Sequence, residues 1–235
     1  MGTRFADSVV VVAGGTGALG SAASRAFLNE GARVIATYRT RAEFDALVAS
    51  AGAAAARLEG RAADVTDERA ARELIDALVA QHGRIDVLIN TVGGYVGAAK
   101  LWAGEAADLE RMLTLNLRSG HALARTVVPV MLRQGRGSIV NVAAKAAIEH
   151  RGGAAAYTAS KAAALALMDA LAAELAGTGV RVNSLLPTII DTQANRHAMP
   201  HADFAKWAKP EDIAGVMLIL CTAEAGPIHG AAIVL

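Results

Sequence analysis

The chain has 235 residues, 54% of them hydrophobic and 19% charged, which suits one domain able to bury a sizeable core and excludes a disordered or fibrous chain. Its 23 Lys and Arg against 22 Asp and Glu leave a formal net charge of +1, with no overall field to gather nucleic acid or an anionic membrane. The 23 glycines and 5 prolines are spread along the chain, leaving neither a linker nor a low-complexity segment.

Short apolar runs alternate with longer stretches of helical periodicity. Strands are expected at 9–13, 33–38, 62–65, 87–90, 138–142, 180–186 and 231–235, and helices at 18–29, 42–50, 68–82, 105–133, 154–176 and 210–223. Such alternation demands right-handed crossovers and a parallel sheet covered on both faces. The expected fold is therefore a single doubly wound α/β domain over 1–235, with a seven-stranded parallel sheet. In such sheets ligands collect beyond the carboxyl ends of the strands, so chemistry is sought just after each one.

The opening segment 1–8 contains Arg4 and Asp7, and the valine run after it is too short for a secretory core. No apolar run approaches the roughly 18 residues of a membrane helix. The single cysteine, Cys221, lies in an apolar stretch and reads as a core thiol in a reducing compartment. A cytoplasmic protein is expected.

After the first strand comes Gly14-Gly15-Thr16-Gly17-Ala18-Leu19-Gly20, then a helix. Gly15, Gly17 and Gly20 satisfy G-x-G-x-x-G between strand and helix, where glycines permit close backbone approach and the helix N-terminus offers N–H groups to a dinucleotide pyrophosphate. An NAD site of this kind carries Asp or Glu after the second strand to hold the ribose 2′-hydroxyl. Here Tyr38 is followed by Arg39 and Arg41. A guanidinium there suits a 2′-phosphate, so NADP(H) is preferred with NAD(H) as the alternative; a solvated arginine loop is the bland reading. Asp64 and Val65 are expected to close the third strand where adenine would pass, with Asp64 either accepting the adenine amino group or capping the next helix. Asn90 to Gly94 follows the fourth strand.

Tyr157 and Lys161 stand four apart in the expected helix 154–176, so both emerge on one face. An ammonium beside a phenol favours the phenolate and lowers a pKa that is ordinarily about 10, making Tyr157 a usable proton donor and acceptor.

With these residues in place the chain resembles the short-chain dehydrogenase/reductase family over essentially its whole length. The resemblance rests on Gly14 to Gly20, Asp64, Asn90 to Gly93, Asn116 in Leu115-Asn116-Leu117, Tyr157-Thr158-Ala159-Ser160-Lys161, and Arg181-Val182-Asn183 leading to Pro187 and Thr192. It implies a Rossmann-type domain in which Tyr157 is the general acid/base and Lys161 lowers its pKa while binding the nicotinamide ribose. It further implies that Asn116 holds the water of a proton relay and that Pro187 to Thr192 seat the nicotinamide. Gly14, Thr16, Gly17, Ala18, Leu19, Gly20, Arg39, Asp64, Val65, Asn90, Gly93 and Lys161 are the other expected cofactor contacts.

The departures are specific. Thr91-Val92 stands where the family has Asn-Ala, and Thr188 replaces the usual glycine after Pro187. Thirteen residues before Tyr157 the family has a serine that hydrogen-bonds the substrate carbonyl; here it is Ala144. The dihydropteridine reductase branch also lacks that serine. It is similar in the segment from Asp191-Thr192 to Trp207, in Gly93-Gly94 followed by an aromatic (Tyr95), and in Ala144-Lys145-Ala146-Ala147. Tyr95 and Ala144 are thus candidate substrate contacts, and 192–208 a candidate substrate lid.

Trp102, Phe204 and Trp207 either line the pocket or cover the sheet edge. His197 and His201 are four apart, but Pro200 interrupts any helix between them and no metal site is expected. Alanine- and leucine-rich helices at 105–133 and 154–176 suggest burial on several sides, and a homodimer or homotetramer is expected, in keeping with the family. The expected activity is hydride transfer between NADP(H) and a small carbonyl, quinone or pterin-like molecule. Dihydropteridine reduction and a non-catalytic NAD(P)-sensing binding protein are the rivals.

Overall fold

The first strand, β1 (Val9–Ala13), is buried along its whole length because strands flank both its edges and helices cover both faces. In the computed structural model, which describes residues 3–235, it is followed by α1 (Ala18–Asn29), β2 (Arg33–Tyr38), α2 (Arg41–Ala51), β3 (Leu58–Ala62) and α3 (Glu68–His82). Then come β4 (Val87–Asn90), α4 (Ala107–Leu113), α5 (Ser119–Gln134), β5 (Gly137–Val142) and α6 (Ala155–Glu174). The chain closes with β6 (Val180–Leu186), α7 (Gln193–Ala198), α8 (Pro210–Cys221) and β7 (Ala232–Val234).

Every strand pairing is parallel, and the order is β3-β2-β1-β4-β5-β6-β7. The doubly wound sheet expected from the alternation is the one observed. Winding reverses between β1 and β4, which opens a crevice at their carboxyl ends.

Alternate residues of each strand feed two cores. Val10, Val12, Val34, Ile89, Val140 and Leu185 pack with Phe27 and Leu28 of α1 and Met217 of α8. Val9, Val11, Ile35, Leu88, Ile139 and Val182 pack with α3, α5 and α6 through Leu78, Leu123 and Met168. Each fully buried Leu, Ile or Val contributes on the order of 2 kcal/mol, so the sheet is a stiff platform for the loops at its carboxyl edge. Among the described residues no helix is long and apolar enough to cross a membrane.

Two expected elements are corrected. The third strand is Leu58–Ala62, not 62–65. Among the described residues it pairs only with β2, in the register Val34 to Leu58 through Tyr38 to Ala62. Being an edge strand it is only half covered, and Leu-Glu-Gly-Arg-Ala need not be an apolar run. Asp64 and Val65 therefore lie in the loop beyond β3 rather than closing it.

The helix expected at 105–133 is divided into α4, a π-helical turn at Thr114–Arg118, and α5. π turns insert a residue into the helical ladder and recur at functional sites. This one contains Asn116.

Candidate active site

At the end of β1 the backbone turns through Gly14, whose φ of +72° favours glycine. A Cβ on Gly15 would lie 2.6 Å from the Ala36 Cβ, and one on Gly20 would lie 2.0 Å from the Gly14 carbonyl oxygen. Neither contact can relax cheaply, because β2 and the turn itself are the neighbours. The Gly14 amide donates to Thr37 Oγ1 at 2.9 Å, and the Thr91 hydroxyl donates to the Ala13 carbonyl at 2.7 Å, tying the turn to β2 and to the loop after β4.

Gly17 differs: the nearest atom to a Cβ there would be 3.4 Å away. It is the N-cap of α1 and supplies no capping side chain, so the first N–H groups of the helix, including those of Ala18 and Leu19, are taken by no cap. An open helix N-terminus beside a glycine turn fits a dinucleotide pyrophosphate. Leu19 sends its side chain into the core and can offer only its backbone. The Thr16 hydroxyl donates to Glu43 at 3.2 Å.

At the adenine end, Tyr38 stacks on Phe44 with centroids 5.1 Å apart. Arg41 is held by Asp45 at 2.8 Å and lies over the Phe44 ring. Arg39 is exposed and, among the described residues, in no ion pair. Asp64 accepts from both the backbone and the hydroxyl of Thr66, at 3.0 and 2.7 Å. The cap of α3 is Asp67, which accepts from the Ala70 N–H at 2.8 Å, so the capping role considered for Asp64 belongs to its neighbour. Val65 is buried and packs into the core.

The loop after β4 passes over the catalytic candidates. Asn90 accepts from the Val92 N–H at 3.2 Å and donates to Asn141 at 2.9 Å, fixing the start of that loop. A Cβ on Gly93 would lie 2.8 Å from Asn116 Oδ1 and 3.1 Å from Lys161 Nζ, so this glycine admits both side chains beneath it. Asn116 accepts from the Gly94 N–H and donates to the Gly94 carbonyl and to Ser160 Oγ. Ser160 donates onward to the Tyr157 carbonyl at 2.7 Å. Sequence reasoning gave Ser160 no role; its place one residue before Lys161 was the available signal.

Lys161 is buried and donates to the Val142 carbonyl at 2.9 Å. Burial pushes its ammonium down to about 8. The Tyr157 phenol is pushed up to about 12, chiefly by burial and secondarily by Tyr95. This runs opposite to the lowering expected from the Tyr157 and Lys161 spacing: partial burial and Tyr95 both raise the phenol, while the Lys161 ammonium is held on the Val142 carbonyl. Tyr157 therefore holds its proton at neutral pH and can donate it.

Tyr95 meets Tyr157 edge-on, with ring centroids 4.9 Å apart and planes at 71°. Ala144 is buried at the end of β5, where its carbonyl accepts from the Ala147 N–H. Pro187 is buried just past β6, and its carbonyl accepts from the Lys145 N–H at 3.0 Å.

Thr192 caps α7 by accepting from the Asn195 N–H at 3.1 Å, which leaves its hydroxyl proton free to donate. Beyond it, Asp191 takes both arms of Arg196 at 2.6 and 2.7 Å, and that guanidinium lies 4.8 Å over the Phe204 ring. Phe204 in turn meets the buried Trp207. Trp102 stands apart from this cluster, 82% exposed beneath the Lys100 ammonium. Burial pushes the Cys221 thiol up to about 12, which suits an inert core thiol.

The short chain dehydrogenase family profile matches residues 8–203. The chain is similar to the 3-oxoacyl-(acyl-carrier-protein) reductase FabG of Thermotoga maritima, 32% identical over 97% of this chain and 95% of that protein. It is also similar to the D-threitol dehydrogenase of Mycolicibacterium smegmatis, 33% identical over 99% of this chain and 92% of that one. The solved structure of a short-chain dehydrogenase/reductase from Burkholderia xenovorans superposes with a TM-score of 0.91 at 30% identity, covering 99% of this chain and 96% of its own. A family match over most of the sequence and relatives aligned along nearly all of it place the chain in the short-chain dehydrogenase/reductase family, as an NAD(P)-dependent oxidoreductase.

Proposed function

We propose that the protein uses NADP(H) to reduce the carbonyl of a small, partly apolar molecule, with Tyr157 as proton donor. The supporting observation is a half-buried phenol that keeps its proton, one helical turn from a buried lysine that lies below the loop leaving the glycine crevice. The bound dinucleotide supplies the hydride. Gly14, Thr16, Gly17, Ala18, Leu19 and Gly20 would hold its pyrophosphate, Asp64 and Val65 would border adenine, Asn90 and Gly93 would border the ribose, and Pro187 and Thr192 would meet the nicotinamide. Lys161, whose ammonium is anchored to the Val142 carbonyl, would touch the ribose. Asn116, whose side chain holds the loop, would also hold the water of the proton relay.

Exposed Arg39, with no acidic partner among the described residues, supports NADP(H) over NAD(H). The names of the reductase and dehydrogenase relatives support a carbonyl and alcohol pair as the reacting group. Tyr95, Ile148 and Ile189 are exposed on the loops after β4, β5 and β6, all at the sheet's carboxyl end, which supports a partly apolar substrate. Ala144 favours one rival, reduction of a quinonoid pterin, which makes no alcohol and needs no serine there.

The test is NADPH oxidation with 2,3-butanedione, ethyl acetoacetate, a quinone and a quinonoid dihydropterin. Carbonyl turnover that Tyr157→Phe abolishes, with NADPH binding kept, is the expected result. Turnover of the pterin alone overturns it in favour of a dihydropteridine reductase, and tight NADPH binding with no turnover in favour of a sensor. We also propose a homodimer or homotetramer through α5 and α6, whose outer faces expose Leu132, Ala166 and Ala170. Light scattering at the mass of one chain overturns that.

A further inference from the structure

Adding hydride to a carbonyl carbon drives the π pair onto oxygen, and that oxygen gains most from donors already in place. Tyr157 brings one O–H. At the end of β5 the buried positions Ala143, Ala144 and Ala147 carry only methyl groups. The hydroxyl-bearing side chain in ring contact with Tyr157 is Tyr95.

The backbone that carries Tyr95 is held in place. The residue before it, Gly94, is gripped at both backbone groups by Asn116. Its own hydroxyl occupies the space that Gly97 leaves by lacking a side chain: a Cβ there would fall 2.0 Å from that oxygen and 2.4 Å from the ring carbon bearing it. The ring is nevertheless 67% exposed, so a ligand can reach it. The proximity of the two phenols is also felt electrostatically, since Tyr95 helps to raise the proton affinity of Tyr157.

We propose that Tyr95 is the second hydrogen-bond donor to the substrate carbonyl oxygen, replacing the hydroxyl that position 144 lacks. This rests on the carbonyl reductase reading above. Two electrons and a proton arrive at the carbonyl carbon as hydride from NADPH, leaving NADP. The C=O π pair moves to oxygen, which takes the Tyr157 proton, and solvent later reprotonates Tyr157. Tyr95 keeps its proton throughout and contributes only a hydrogen bond.

The experiment compares wild type, Tyr95→Phe, Gly97→Ala and the double variant Tyr95→Phe with Ala144→Ser, using 2,3-butanedione and NADPH. Tyr95→Phe keeps the ring and should lower kcat about 10- to 100-fold. Its NADPH Kd and thermal midpoint should match wild type. Gly97→Ala should slow turnover in the same direction by displacing the hydroxyl. Restoring a hydroxyl at position 144 should recover about tenfold of the lost rate. The binding of isobutyramide, an unreactive carbonyl acceptor, in the presence of NADP should weaken about tenfold in Tyr95→Phe.

Undiminished kcat in Tyr95→Phe overturns the role. A slow Tyr95→Phe that Ala144→Ser fails to rescue overturns the replacement. A wild type that reduces no carbonyl overturns the reductase reading itself, whereas equal isobutyramide binding by wild type and Tyr95→Phe overturns this proposal separately.

Discussion

Asn116 grips Gly94 at both backbone groups: its side-chain oxygen accepts the Gly94 N–H at 2.9 Å, and its amide nitrogen donates to the Gly94 carbonyl at 3.1 Å. The same nitrogen reaches Ser160 Oγ at 2.9 Å, so one side chain in the π turn joins the loop after β4 to the helix bearing Tyr157 and Lys161. Asn116→Ala leaves these buried groups unpaired and is expected to cost about 2–4 kcal/mol in urea denaturation. Turnover should fall as well, because Tyr95 is released with the loop. An unchanged midpoint would show that the clamp is not stabilising.

Buried Lys161 and half-buried Tyr157 bend the pH dependence of stability in opposite senses. Lys161 falls from 10.5 to about 8, so between those values the unfolded chain binds more protons and stability rises with pH. Tyr157 rises from 10.0 to about 12, so its contribution is full below 10 and is lost as pH climbs toward 12. Relative to Lys161→Met, the wild type should gain about 3 kcal/mol as pH goes from 8 to 10.5. Relative to Tyr157→Phe, it should lose stability above pH 10. Denaturant titrations up to pH 11 test both, and flat difference curves refute the burial account.

Glycines in one turn should fail in different ways. At Gly20 an added Cβ would meet the Gly14 carbonyl at 2.0 Å, so Gly20→Ala should distort the turn and lower the unfolding midpoint sharply. At Gly17 there is room, and Gly17→Ala should cost only about 1 kcal/mol as a poorer helix cap. NADPH affinity should still fall about tenfold or more, because the methyl stands where the pyrophosphate must approach. Calorimetry on folded Gly17→Ala decides this: unchanged affinity removes Gly17 from the cofactor site.

The glycine turn was legible in the sequence because its geometry admits almost no other residue. The central strands were legible because burial on both faces requires continuous apolar runs. β3 was not, since an edge strand is half covered and Glu59 and Arg61 can stand in it. The π turn was hidden because helical apolar periodicity continues through Leu109, Met112, Leu113 and Leu117. Spacing put Lys161 near Tyr157 but could not reveal that the ammonium is tied to Val142 or that burial dominates the phenol. The Asp191 and Arg196 pair was equally hidden, because a carboxylate five residues before an arginine is common on any surface.

Arg39 and Arg41 look alike in sequence, yet only Arg41 is committed, to Asp45 and Phe44. Arg39→Ala should therefore weaken NADPH binding about 10- to 100-fold, the worth of a charge-assisted bond to a phosphate, and leave NADH nearly unaffected. Arg41→Ala should change the ratio of the two affinities far less. Equal losses for NADPH and NADH in Arg39→Ala would show that it does not read the 2′-phosphate.

In the proposed reductase the segment 192–208 closes over the substrate, and its conformation depends on Arg196 being held between Asp191 and Phe204. Arg196 also keeps the Asp191 carboxyl below the usual carboxylate range, so the clasp persists through neutral pH and is lost only as acid protonates Asp191 below that range. Because the pair is exposed to solvent, Arg196→Gln should barely move the thermal midpoint. Its effect should fall on the segment itself: faster chymotryptic cleavage after Phe204, a severalfold higher KM for the carbonyl, and kcat near wild type. Cleavage and KM are linked here, since both report how often the segment leaves its seat. A faster cut with unchanged KM would mean that the segment does not cover the substrate.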